Sequence, residues 1–237
     1  MALRFAIQAD IHSFKRVPRR YLEGVLDDAK RIGCAFVAWL GDVIDGDQAP
    51  LELLQQSPIP IVYQHGDHEL VSEWGRTGFR CYGCTERGSD PLAFFRGAAP
   101  RYEALTGLPT AWSFDLMGVH FVVCFNGKDT VWYPWFLRWL EGDLGRAGSA
   151  TTVLLSHRPL DDRGETAEAL RSIVGRYPCV RLYCYGHVHE GRELYRVGRV
   201  LTVNAEACAR AAGASYEAGW YVVVEIGGDS VRVLRRR

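Results

Sequence analysis

Histidine and aspartate gather at a few places in this chain: Asp10-Ile11-His12, Gly41-Asp42-Val43-Ile44-Asp45-Gly46, Gly66-Asp67-His68-Glu69, Ser156-His157 and Gly186-His187-Val188-His189. Of the seven histidines, His12, His68, His157, His187 and His189 each stand just past an apolar run that reads as a strand. Histidines that served only packing would not sort this way. Ring nitrogens and carboxylate oxygens together suit Mn, Fe, Zn or Ni better than Ca or Mg. Glycines let the backbone turn tightly enough for neighbouring side chains to aim at one point. Residues two apart in an extended segment project to one side. His187 with His189, and Asp10 with His12, are therefore expected to present paired donors in extended backbone. Asp42, at the outgoing end of its strand, is expected to hold two metal ions at once, with four other strand ends converging on it.

Such a centre needs strands that deliver their carboxyl ends to one edge, where open α/β sheets bind ligands. Residues 3–9 read as a strand ending at Asp10. Pro18 can open a helix, and Tyr21, Leu22, Val25, Leu26, Ala29 and Ile32 give it an apolar stripe that Gly33 closes. Strands follow over 35–40 and 59–63, with a short helix over 50–57 between them. A hairpin is expected over 112–125 with its turn at Met117-Gly118, then a helix over 134–144, a strand over 152–155, a helix over 165–176 and a strand over 180–185. Four tail strands fall near 193–197, 200–204, 219–226 and 230–234. Residues 72–111 are rich in Gly, Arg and aromatics without clear periodicity. They read as a lid-like insertion over the site, with one helix near 91–105, in an otherwise single domain spanning 1–237.

The chain has 237 residues, is 48% hydrophobic and has a formal net charge of +0. That suits one α/β domain. The charge balance argues against a nucleic-acid binder, which usually carries a basic surplus, and leaves room for a small phosphorylated ligand. No run approaches the ~20 apolar residues that span a bilayer, and the start of the chain has no secretory pattern. Seven cysteines form no disulfide framework. A cytoplasmic location is the simplest expectation.

In order and in type, Asp10-x-His12, Gly41-Asp42-x-x-Asp45, Gly66-Asp67-His68-Glu69, His157 and Gly186-His187-x-His189 resemble the calcineurin-like metallophosphoesterase superfamily. Gly41–Gly46 and Val203-Asn204-Ala205-Glu206 further resemble the branch that cleaves ADP-ribose or CDP-alcohol pyrophosphate bonds. The compact size and neutral charge are similar to the cyclic-nucleotide phosphodiesterase branch. The resemblance implies a four-layer αββα sandwich of two mixed sheets with a dinuclear centre at its upper edge. It implies that Asp10, His12 and His189 hold one ion, Asp67, His157 and His187 the other, and that Asp42 bridges them. His68 would face the scissile phosphate, and Asp45 would orient it. Two Mn, Fe or Zn ions would share a hydroxide that attacks phosphorus in line, while His68 stabilises the phosphoryl oxygens and protonates the leaving group. The implied activity is hydrolysis of a phosphodiester or pyrophosphate bond in a small nucleotide-like molecule. Alternatives are a phosphomonoesterase, including a protein phosphatase, and a metal-binding scaffold with reduced turnover; a nuclease ranks below both.

One position departs from the family pattern, which has asparagine where this chain has Asp67. Asparagine could donate an amide hydrogen to phosphate, and an ionised aspartate cannot. Counting +4 from two divalent ions, −3 from Asp10, Asp42 and Asp67 and −1 from hydroxide leaves the site neutral rather than positive. A carboxylate about 4 Å from a phosphoryl oxygen costs on the order of 1–4 kcal/mol at surface-like dielectric. A trivalent ion or a nearby arginine would compensate; without either, turnover would be reduced.

Other signals are weaker. Cys81 and Cys84 are spaced like half a zinc site without a second pair. The remaining cysteines, and Trp132, Trp135 and Trp139, read as core. His120 reads as a hydrogen-bonded strand residue. Glu69 is expected to brace the loop after His68. Arg158 is as compatible with a phosphate contact as with a structural role.

Overall fold

The structure is a computed structural model describing residues 2–12, 17–43, 49–67, 69, 71–75, 78–81, 109–126, 132–189, 194–205, 221–228 and 230–236. A five-stranded sheet has the order β13-β12-β1-β2-β3 and a six-stranded sheet the order β10-β11-β9-β8-β7-β6. In the first sheet, β1 (Leu3–Gln8), β2 (Val37–Leu40) and β3 (Ile61–Gln64) run parallel, with Ala6 opposite Val37 and Val37 opposite Ile61. The antiparallel β12 (Tyr221–Gly227) and β13 (Ser230–Arg236) complete it. In the second, β7 (Val119–Val123), β8 (Thr151–Leu155), β9 (Val180–Tyr185) and β11 (Val200–Asn204) run parallel, edged by antiparallel β6 (Trp112–Leu116) and β10 (Leu194–Val197).

Alternation along each strand makes the layers. Phe5, Ile7, Phe36, Ala38 and Leu40 face Phe121, Val123, Val153, Leu155 and Leu182 to fill the space between the sheets. The intervening residues Ala6, Val37, Trp39 and Tyr63 pack outward against α1 (Arg19–Arg31). On the far side, Val122, Leu154 and Tyr183 pack against α3 (Pro134–Ala147) and α4 (Glu165–Arg176). This is the four-layer αββα sandwich, with two mixed sheets inside. The short α2 (Glu52–Gln56) follows a turn of 3-10 helix over Ala49–Leu51.

Helix ends fall where local chemistry puts them. In α1, Leu22, Val25, Leu26 and Ala29 form the buried stripe. Gly33, at φ 80°, stops it: its N–H donates to Lys30 O at 3.0 Å and Cys34 N–H to Ala29 O at 2.9 Å. Pro134 stands at the first position of α3, where no N–H is needed. The expected hairpin turn at Met117-Gly118 is present, both residues having positive φ.

Within the expected lid, β4 (Val71–Gly75) and β5 (Gly78–Cys81) form an antiparallel pair that the sequence pattern does not announce. The helix near 91–105 lies outside the described residues, as do Cys84 and Cys208. Cys34, Cys124, Cys179 and Cys184 are buried. Trp132 is fully buried, while Trp135 and Trp139 are partly buried against the same core. His120 joins Asp115 at 2.7 Å and Asp143 at 2.9 Å, tying β7 to α3. Among the described residues, no helix is long and apolar enough to cross a membrane.

Candidate metal centre

The parallel strands β1, β2, β3, β8 and β9 all end at one edge of the sandwich, and Asp10, Asp42, Asp67, His157 and His187 follow those ends. Main-chain bonds lock the ends together. Asp10 N–H donates to Gly41 O (3.0 Å), His12 N–H to Asp42 O (2.8 Å), Ser156 N–H to Cys184 O (2.9 Å) and Gly186 N–H to His157 O (3.1 Å). The two sheets meet where His187 N–H donates to Asp10 Oδ2 at 2.9 Å.

Close approach explains the glycines. Gly41 has φ 86°, and a Cβ there would stand 2.6 Å from Gly66 Cα and 2.6 Å from His157 Nδ1. At Gly186 an added carbon would stand 2.5 Å from Ala9 Cβ and 2.9 Å from Asp10 Oδ2. The side chains themselves hang on unusual backbone. Asp10 (φ 54°), His12 (φ 55°), Asp42 (φ 53°) and His187 (φ 67°) are all left-handed, a conformation that costs L-residues free energy and clusters at functional sites. The expectation of extended backbone is therefore corrected for both pairs, although Asp10 and His12 do present paired donors to one group. Left-handed turns, not extended alternation, aim these groups, and His187 and His189 point into different clusters.

The seven candidate ligands converge in two groups. Asp10, His12 and His189 form one, and Asp42, Asp67, His157 and His187 the other, the donor atoms in each lying within 4.8 Å of one another. In the first, His12 Nε2 is 3.3 Å from His189 Nε2, and His189 Nε2 is 3.3 Å from Asp10 Oδ1. In the second, His157 Nε2 is 2.9 Å from Asp67 Oδ1 and 3.2 Å from His187 Nδ1. Asp42 stands between them, Oδ1 3.4 Å from His157 Nε2 and Oδ2 3.9 Å from His12 Nε2.

These residues fit two ions. Donors about 2.0–2.2 Å from a shared cation stand roughly 3–4 Å from each other, which is the spacing within each group. Facing ring nitrogens, as in His12 with His189 and His157 with His187, make a poor hydrogen-bonded arrangement and a natural metal cage. His157 Nδ1–H donates to Leu40 O at 2.8 Å, which turns Nε2 toward the cluster.

The electrostatics agree. Burial opposes a charge on His157, but Asp42, Asp67 and Asp10 outweigh it and raise its pKa well above the ordinary value. Burial likewise opposes ionisation of Asp67, yet hydrogen bonds from His157 and His187 hold it far below the usual carboxylate range. The Asp10 carboxylate raises His189.

Behind the ligands, Glu69 does more than brace its own loop. Its carboxylate accepts the N–H groups of Asp42 (2.9 Å), Val43 (2.6 Å) and Gly66 (2.5 Å) and the Tyr63 hydroxyl (2.9 Å). Sequence reasoning missed two further braces. Asn204 Nδ2 donates to Val188 O at 2.8 Å, fixing the strap between His187 and His189. Gln64 Nε2 donates to Asn126 Oδ1 at 3.1 Å, and the buried His65 donates to Asn126 O at 2.9 Å. Both asparagines end strands at the same edge, and that position is the signal that could have found them. Two expected catalytic residues, His68 and Asp45, lie outside the described residues.

The family model for calcineurin-like phosphoesterases matches residues 3–191. The chain belongs to that family. Calcineurin-like phosphoesterases are metal-dependent hydrolases that bind two divalent ions, in keeping with the two ligand groups. No curated protein sequence matches the chain. Among solved structures it is similar to a dimetal phosphatase from Danio rerio, with a TM-score of 0.69 and 13% identity over 99% of this chain and 96% of that one. It is also similar to GAP50, the anchor in the inner membrane complex of Plasmodium (TM-score 0.59, 13% identity, 99% and 84% covered). A third is the NAD nucleotidase of Haemophilus influenzae (TM-score 0.57, 12% identity), of which this phosphoesterase covers 49% while itself being covered over 100%. At such identities the likeness is one of fold.

Proposed function

We propose that the chain hydrolyses a phosphodiester or pyrophosphate bond of a small nucleotide-like molecule with two bound Mn, Fe or Zn ions. Asp10, His12 and His189 hold one ion, Asp67, His157 and His187 the other, and Asp42 gives an oxygen to each. The observation that carries this reading is the position of Asp42, one carboxylate oxygen turned to each group. Ions bound there supply Lewis acidity toward phosphoryl oxygens and a water acidified toward neutral pH. The remaining work falls to side chains: His68 faces the scissile bond and protonates the leaving oxygen, and Asp45 orients it. The aromatic-rich segment 72–111 supplies a stacking wall for a base. A nucleotide-like substrate is supported by the nucleotidase among the similar folds and by the neutral charge of the chain. The buried cysteines Cys34, Cys124, Cys179 and Cys184 support a reducing, cytoplasmic location.

The deciding experiment pairs metal analysis with a substrate panel of aryl monoester, aryl diester, cyclic AMP and ADP-ribose. The expected result is two ions per chain and turnover of diester or pyrophosphate above monoester. A protein that stays metal-free when offered manganese, zinc and iron would end this reading. Preference for the monoester would move it to the phosphomonoesterases, which include protein phosphatases. Asp67 favours a second reading, a metal-binding scaffold of reduced turnover, for which the outcome would be full metal loading with no hydrolysis.

A further inference from the structure

Arg158 follows His157 on the loop after β8 and is only 7% exposed. Its backbone is pinned, the carbonyl accepting the Tyr183 hydroxyl at 2.8 Å. Its guanidinium is oddly placed. Nη1 donates to His187 Nε2, and Nε has no hydrogen-bond partner among the described residues. Asp162 Oδ2, 3.9 Å from Nη1, is beyond hydrogen-bond reach and itself unbonded. Arginine keeps its charge at any pH a folded protein tolerates. A full positive charge is thus buried with Asp162 as a loose ion-pair partner and, among the described residues, no carboxylate hydrogen-bonded to it, so its desolvation is only partly offset.

A second carboxylate lies across the same ring. His187 Nδ1, opposite the nitrogen that Arg158 touches, is 3.1 Å from Asp67 Oδ1. The imidazole is sandwiched between guanidinium and carboxylate. Asp67 is also the position whose extra negative charge the family pattern lacks.

We propose that Arg158 is the counter-charge to Asp67. Acting through His187 as a positioning residue, it cancels the added negative charge at the second group. It thereby sets how tightly that group holds its ion and how strongly the site attracts an anionic phosphate. This rests on the assignment of Asp67, His157 and His187 as ligands. An ion on His187 Nδ1 would leave Nε2 protonated and facing the Arg158 guanidinium, in place of the acceptor that usually makes a ligating imidazole a stronger ligand. Arg158 therefore weakens the second site where Asp67 strengthens it.

The test is manganese titration by calorimetry of the wild type, Arg158→Met, Arg158→Lys, Asp67→Asn and the double variant Asp67→Asn/Arg158→Met. Arg158→Met is expected to tighten the second manganese about tenfold, on the order of the effect of a nearby unit charge at intermediate dielectric. Asp67→Asn loosens it, the double variant returns to within about threefold of wild type, and Arg158→Lys stays close to wild type. Arg158→Met also raises KM more for a doubly charged aryl monoester than for a singly charged diester. A second dissociation constant within twofold of wild type in Arg158→Met would overturn the pairing, as would equal shifts in the Met and Lys variants. Absence of manganese binding in the wild type would instead remove the ligand assignment beneath it.

Discussion

Glu69 accepts the backbone N–H of Asp42 at 2.9 Å, so a carboxylate from the β3 side fixes the main chain of the residue that stands between the two ligand groups. The same carboxylate serves three more donors. Glu69→Ala strands those donors in a buried setting and should lower stability by about 3 kcal/mol. Glu69→Gln should cost less, because the amide keeps one acceptor oxygen. Urea unfolding of both variants checks the order.

Asp42 and the peripheral ligands should differ in metal stoichiometry. His189→Ala is expected to lose one ion and keep the other, and His157→Ala the reverse. Asp42→Ala should weaken both, by more than the about 10–100-fold typical of residues that merely support a ligand. Elemental analysis after dialysis against a fixed manganese concentration distinguishes these patterns.

Gly41→Ala meets two obstacles: a left-handed φ of 86° and backbone atoms at 2.6 Å. Neither can be relieved by a flexible side chain. The variant should lose about 2–3 kcal/mol of stability, and with it metal affinity in both groups. Thermal unfolding with and without manganese measures each part.

His65 gives a pH dependence. Burial pushes its pKa down to about 4, so the folded chain holds it neutral, while in the unfolded chain it titrates near 6.5. Its contribution is complete above about pH 6.5 and is lost as pH falls toward 4. The total loss is about 3 kcal/mol at roughly 1.4 kcal/mol per unit. Unfolding of wild type and His65→Asn between pH 8 and pH 4 isolates this contribution. The two curves should converge on acidification.

Deleting residues 75–105 should raise KM for nucleotides far more than for a small aryl phosphate. Equal effects on the two substrates would remove the stacking role assigned to this segment.

Much of this was readable from residue order, for identifiable reasons. Strand ends are marked by apolar runs that stop at Asp10, Asp42, His157 and His187, and helix α1 by its stripe and closing Gly33. What spacing could not convey was backbone handedness. Asp10-x-His12 reads as extended alternation, yet both residues turn left-handed, and His187 and His189 separate into two clusters because of it. Nor could local pattern show that Glu69 reaches back to Asp42, or that Asn204 holds Val188. Those bonds join residues far apart in the chain and depend on which strands become neighbours.

The left-handed backbone at Asp10, His12, Asp42 and His187 has one more implication. Glycine adopts that conformation freely, whereas these side chains each endure roughly 1–2 kcal/mol for it. Swapping any of the four for glycine would relax the chain and delete a donor in the same stroke. Durability and reactivity pull against each other at the same four positions, and selection for a sturdier protein alone would erode the centre first.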